Sequence, residues 1–197
     1  RSAIRNGSYT GTTSGLAPGF VQGNVVILPA AYAEDFYKFC HQNPTPCPLI
    51  SVSEAGDPRM PALGYDLDIR TDIPEYLVFR DGQVADTLTD LTAIWRDDLV
   101  TFVLGCSFSF EDALQSAGIP VRNVDSCSNV SMYRTNIPTK PAGPFKGDLV
   151  VTMRPFSPQD AIRAIQITTR LPKAHGAPVH LGAPSLIGIR DISAPEF

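Results

Sequence analysis

One local pattern, written twice, constrains the fold more than any other feature. Phe102-Val103-Leu104-Gly105-Cys106-Ser107-Phe108-Ser109-Phe110-Glu111-Asp112-Ala113-Leu114 is the first copy, and Val150-Val151-Thr152-Met153-Arg154-Pro155-Phe156-Ser157-Pro158-Gln159-Asp160-Ala161-Ile162 is the second. Each reads as a buried strand, a sharp polar turn, a serine cap and a helix. Ser109 and Ser157 are placed to accept a bond from a first-turn N–H, and an acid three residues on completes a Ser-x-x-Asp box. Pro158 stands at the first helical position, where its missing N–H costs nothing. Glu111, Asp112 and Asp160 suit the positive end of the helix dipole. A weaker third copy runs Val25-Val26-Ile27-Leu28-Pro29 into a helix carrying Glu34 and Asp35. Such turns bring small polar side chains and N–H groups to the carboxyl end of a strand, where open α/β sheets bind their ligands.

The rest of the chain is read around these copies. Residues 1–24 form a glycine-punctuated arm, with Gln22 and Asn24 just before a strand at 25–28. A helix over 29–40 carries Phe36, Phe39 and Cys40 on one face, and Asn43-Pro44-Thr45-Pro46-Cys47-Pro48 ends it. A short strand covers 49–52, and Asp81-Gly82 between 76–80 and 83–86 is a strong hairpin signal. Strands are expected at 99–104, 121–124, 149–153, 179–181 and 186–189, with helices closing at Gly118 and near residue 171. The stretch 125–147 reads as a long polar loop. Alternating strands and helices predict a mostly parallel sheet covered on both faces, and the hairpin predicts an α+β insertion.

Composition narrows the function classes. With 43% hydrophobic and 18% charged residues, the chain can bury a core of its own. The net charge of −4 and singly scattered Lys and Arg argue against nucleic acid as a partner. No apolar run approaches the roughly 18 residues of a membrane span. The start, Arg1-Ser2-Ala3-Ile4-Arg5-Asn6, does not read as a signal peptide, and the absent methionine is read as a missing native N-terminus or as processing. Cys40, Cys47, Cys106 and Cys127 match no zinc spacing and are expected as free thiols in a reducing cytoplasm.

Five constellations carry chemistry. Cys106 and Ser107, with Ser109, sit at a helix start that favours anions or lowers a thiol pKa, and an anion-binding or hydrogen-bonding role is preferred to covalent catalysis because the Gly-x-Ser-x-Gly elbow is absent. Arg154, between strand and capped helix, is a carboxylate clamp or a surface charge. Asp66-Leu67-Asp68-Ile69-Arg70-Thr71-Asp72 is a surface segment with local ion pairs, a proton-transfer carboxylate (Asp66 or Asp68) with Arg70 as an anion contact, or a weak metal site. His175 and His180 lie five apart on an expected strand, which points their rings to opposite faces and leaves one to act as acid or base. Asn129, Tyr133 and Asn136 on the polar stretch suit substrate orientation, as do Gln22 and Asn24 in the arm.

Several stretches together resemble one family. Leu16-Ala17-Pro18-Gly19-Phe20-Val21-Gln22-Gly23-Asn24, Asn43-Pro44-Thr45-Pro46-Cys47-Pro48-Leu49, Asp68-Ile69-Arg70-Thr71-Asp72, Gly105-Cys106-Ser107-Phe108-Ser109-Phe110-Glu111, Met132-Tyr133-Arg134-Thr135-Asn136-Ile137 and Met153-Arg154-Pro155 look like the hydro-lyase family related to the mitochondrial D-glutamate cyclase. The resemblance implies a cytoplasmic α/β protein, a three-layer α/β/α sandwich with a mostly parallel sheet plus a smaller two-layer α+β part. It makes 1–197 one family unit that is C-terminally incomplete, since family members continue into a further strand and an Ala-Cys-Gly turn. It implies water elimination from a small carboxylic or amino acid, with cyclisation of D-glutamate to 5-oxo-D-proline as precedent, and it brings no catalytic set to carry over. The expected partner is a small anionic substrate, a homodimer is allowed, and no metal or cofactor is called for. Two rivals stand beside this reading: a non-catalytic carboxylate-binding or regulatory protein, and a metal-dependent hydro-lyase using the 66–72 acids.

Overall fold

In a computed structural model describing residues 1–126 and 128–196, the elements run α1 (Ser2–Arg5), β1 (Gly23–Pro29), α2 (Ala30–Gln42), β2 (Leu49–Val52), β3 (Tyr76–Arg80), β4 (Gln83–Leu88), β5 (Leu99–Gly105), α3 (Phe108–Ser116), α4 (Arg122–Asp125), β6 (Met132–Pro138), β7 (Asp148–Thr152) and α5 (Pro158–Thr168). Cys127 lies outside the described residues. Two compact units form: one from Arg1–Thr13, Val25–Ala33 and Ser51–Val103, the other from Ser14–Asn24, Glu34–Ile50 and Leu104 onward.

The sheets overturn the expected mostly parallel three-layer α/β/α sandwich. Three sheets form, ordered β1-β5-β2, β3-β4 and β6-β7. The last two are antiparallel pairs. In the first, Ala30 N–H donates to Asp98 O and Cys106 N–H to Gln22 O, so β1 and β5 run in opposite directions. Ser53 N–H donates to Thr101 O and Gly105 N–H to Pro48 O, which sets β2 antiparallel to β5 as well. The misreading has a physical cause. A central antiparallel strand buried on both faces, as Val100, Thr101, Phe102 and Val103 are here, carries the same apolar run as a parallel one. The strand–turn–helix repeats do form as β5–α3 and β7–α5, but in separate sheets.

Other elements differ in instructive ways. The expected loop at 125–147 holds β6, because Tyr133 and Thr135 alternate inward among exposed polar neighbours. Thr135 Oγ1 then donates to Leu149 O, so a polar side chain is accommodated inside. The expected strand at 121–124 is the helix α4. Neither 179–181 nor 186–189 is a strand; Pro184–Ile187 is a 3-10 turn.

In the first unit, Met60, Ile69, Tyr76, Leu91 and Phe102 are buried. The hairpin turns at Asp81 (φ 50°) and Gly82 (φ 76°), the left-handed pair that an Asp-Gly type I′ turn requires. In the second unit, α3 packs against α5 around Leu114, Ile119, Val121 and Ala164, with Phe110, Phe156 and Ile167 closing over them. Each such buried aliphatic side chain contributes about 1.5–3 kcal/mol. Phe36 meets Phe145 edge-on at 5.0 Å, on the α2 face that the sequence marks as apolar.

Candidate active site

The site of the second unit starts at Gly105. A Cβ there would stand 1.6 Å from the carbonyl oxygen of Lys173, so only glycine lets the 3-10 turn Pro172–Ala174 come this close. Cys106 N–H donates to Gln22 O at 3.0 Å, and Ser107 opens α3 as its N-cap residue without a side-chain cap bond. The first-turn donors close on themselves, Ser109 N–H on Cys106 O and Phe110 N–H on Ser107 O. Ser109 is therefore not a cap. Its hydroxyl accepts from Gln22 N–H at 2.8 Å and donates to Gln22 O at 3.1 Å, clasping the arm to α3. Ser157 does cap α5, accepting from Asp160 N–H, with Pro158 at the start.

A buried ion pair forms the centre. Arg154 donates to Glu111 Oε1 at 2.5 Å, with side chains 7% and 1% exposed. Asn123 Nδ2 donates to the same Oε1 and Ser14 Oγ to Oε2. Arg154 also donates to Ser107 Oγ at 3.1 Å and Thr152 Oγ1 at 2.9 Å, and its guanidinium lies 4.8 Å from the centre of the Phe110 ring. Its Nε–H is buried and has no acceptor among the described residues. The Arg154 of the sequence reading is thus a buried cation with a donor to spare, not a surface charge. Glu111, Asn123 and Ser14 were not among the expected site residues. One signal was available: Ser107, Glu111 and Leu114 share a face of α3 at helical spacing, so a charge falls in line with a core leucine.

Beside the pair, the arm and α3 flank a small open cleft of about 40 Å³ with Gln22, Glu111, Asp112 and Gln115 on its walls. Gly19 N–H donates to Asp112 at 3.0 Å. Asp112 lines the cleft, while the Glu111 carboxylate is taken up by Arg154, Asn123 and Ser14.

The remaining expected residues divide. Burial pushes the Cys106 thiol above its ordinary pKa, against hydrogen bonds from Phe108 N–H and the Asn24 side chain, so it stays protonated at neutral pH. His175 directly follows the turn that touches Gly105, and its Nδ1 is 2.9 Å from Thr45 O. His180 binds Ala183 O through Nε2. Tyr133 is 1% exposed and donates to Ile192 O, a structural bond. Asn129 accepts from Val130 N–H, and Asn136 is exposed on β6, where it packs against Gly188.

Asp66, Asp68 and Arg70 belong to the first unit. Arg70 pairs with Asp68 at 2.6 Å, and Arg1, just before α1, and Arg5 within it pair with Asp66 and with buried Asp72. These acids are saturated by local arginines. No three His, Cys, Asp or Glu residues among those described converge as a metal-binding group.

The second unit thus sets a buried ion pair beside a small cleft. The sequence profile of D-glutamate cyclase matches residues 100–197. Over all 197 residues the chain is 62% identical to a Verminephrobacter eiseniae protein named "Putative hydro-lyase", covering 72% of it. A Bradyrhizobium diazoefficiens protein with the same description shows the same identity and coverage. One from Bordetella pertussis is 60% identical, with 71% of it covered. The chain belongs to this hydro-lyase family related to D-glutamate cyclase. None of its described helices is long and apolar enough to cross a membrane.

Proposed function

We propose that the protein is a hydro-lyase for a small amino or carboxylic acid, and that its reaction is the cyclisation of D-glutamate to 5-oxo-D-proline with loss of water. The observation that carries this reading is the Arg154 guanidinium, 7% exposed and fixed by Glu111, Ser107 and Thr152, with a buried Nε–H that has no acceptor among the described residues, a donor of the kind a carboxylate satisfies. Asp112 on the cleft wall suits the ammonium group of the same molecule.

In the reaction, the substrate nitrogen attacks its own γ-carboxyl carbon. The carbon–nitrogen bond forms, one carbon–oxygen bond breaks, and the two protons that nitrogen sheds leave with that oxygen as water. Holding both ends of a flexible acid makes this an intramolecular reaction between placed groups. A fixed cation beside the developing oxyanion lowers the barrier because it needs no reorganisation.

The test is proton NMR of the protein with D-glutamate, with L-glutamate as control and Arg154→Ala alongside. Stereoselective 5-oxoproline formation that disappears in the variant is expected. Unchanged turnover in Arg154→Ala removes the role given to this residue.

A further inference from the structure

The arginine site holds charge, yet cyclisation also needs a group that removes a proton from an ammonium and returns it to a leaving oxygen. Glu111 is engaged by Arg154, Asn123 and Ser14, and Cys106 is a buried protonated thiol. His175 has the remaining suitable chemistry. Its position is fixed by the backbone: it ends the 3-10 turn Pro172–Ala174, which packs against α3, and the Lys173 carbonyl rests on Gly105 immediately before Cys106 and Ser107.

The ring's state follows from its bonds. Thr45 O is an acceptor only, so Nδ1 must carry the hydrogen that joins them at 2.9 Å. The basic lone pair is then on Nε2. The residue is also held at φ 73°, followed by Gly176 at φ 71°. A non-glycine residue in the left-handed region is disfavoured, and such positions concentrate at functional sites.

We propose that His175, its tautomer fixed by the Thr45 carbonyl, is the proton-transfer residue of this site and acts through Nε2. This rests on the hydro-lyase reading above. Nε2 takes one proton from the substrate ammonium, freeing the amine to attack, and delivers it to the oxygen that departs. It repeats the transfer as the tetrahedral intermediate collapses, so the ring ends as it began. Burial, with repulsion from Arg154, holds the imidazole below its ordinary pKa, against the Thr45 bond, so a neutral base is present at pH 7.

His175→Asn separates chemistry from structure. Asparagine tolerates the left-handed backbone and retains an N–H donor for Thr45, but has no base. The variant should melt with the wild type and bind D-glutamate within about threefold, while kcat falls roughly 10²–10⁴-fold and the acidic limb of its pH profile disappears. Turnover within threefold of wild type, with Arg154→Ala inactive, overturns the role of His175 and leaves the hydro-lyase reading standing. If the wild type cyclises nothing, that reading fails, and the ring itself decides: nitrogen-15 NMR should show an Nδ1–H tautomer whose Nε2 signal moves when D-glutamate is added. An unmoved signal, or the opposite tautomer, overturns the proposal.

Discussion

Removing one half of the Glu111–Arg154 pair should be far more damaging than removing both. Glu111→Leu deletes a carboxylate that is 1% exposed and strips the acceptor from Arg154 and from Asn123 Nδ2. Breaking a buried pair from one side costs about 3–5 kcal/mol, because the surviving charge stays desolvated. Arg154→Met should cost a similar amount, since Glu111 then has only the neutral donors Asn123 and Ser14. The two losses added independently come to roughly 6–10 kcal/mol, yet Glu111→Leu with Arg154→Met removes both charges and should lie within about 2 kcal/mol of wild type. Urea unfolding followed by far-ultraviolet circular dichroism measures all four proteins. At roughly 2–4 °C per kcal/mol for a chain of this size, each single variant should also melt about 6–20 °C lower. A double variant as unstable as the sum, or a single variant losing less than about 1 kcal/mol as an exposed pair would, refutes the reasoning.

Other consequences are open to measurement. Gly105→Ala forces a Cβ to 1.6 Å from the Lys173 carbonyl, so the variant should lose more than about 3 kcal/mol or fail to accumulate folded, as its melting curve would show. Ser157→Ala removes the α5 cap and should lower stability by about 1 kcal/mol in urea titration. Burial of Asp72 opposes its ionisation, but hydrogen bonds and charge from Arg5 outweigh this and hold the carboxyl below its usual range. Its contribution is therefore complete above about pH 4 and is lost as pH falls through the depressed value. Asp72→Asn should cost about 2 kcal/mol at pH 7 and flatten the acid limb of stability against pH. A hydrogen bond from Cys40 lowers the Cys47 pKa, whereas burial raises that of Cys106, so mass spectrometry after mild alkylation should find Cys47 modified before Cys106.

Several local rules of the chain held where the determining interactions lie within a few residues. Ser157-Pro158 starts α5, Asp81-Gly82 turns the hairpin, and Phe36 and Cys40 define the buried face of α2. Ser109 did not follow the same rule, because its hydroxyl found the Gln22 backbone, a partner in a distant stretch of sequence. Among the candidate site residues, Arg154 and His175 stood out by type and position. Glu111 was read only as a helix-dipole residue, since nothing near it in sequence announces that Arg154, Asn123 and Ser14 converge on it.

By itself, then, the sequence determined the β5–α3 and β7–α5 junctions, which turns are tight, which small residues stand at them, and the family to which the chain belongs. Tertiary structure alone decided strand direction and charge burial. An apolar run such as 100–103 is equally at home in a parallel or an antiparallel sheet, and only hydrogen bonding with partners tens of residues away selects between them. The electrostatic environment of Glu111 and Arg154 was likewise not a property of their neighbours in sequence. It arose when α3, the end of β7 and the arm excluded water together around one ion pair.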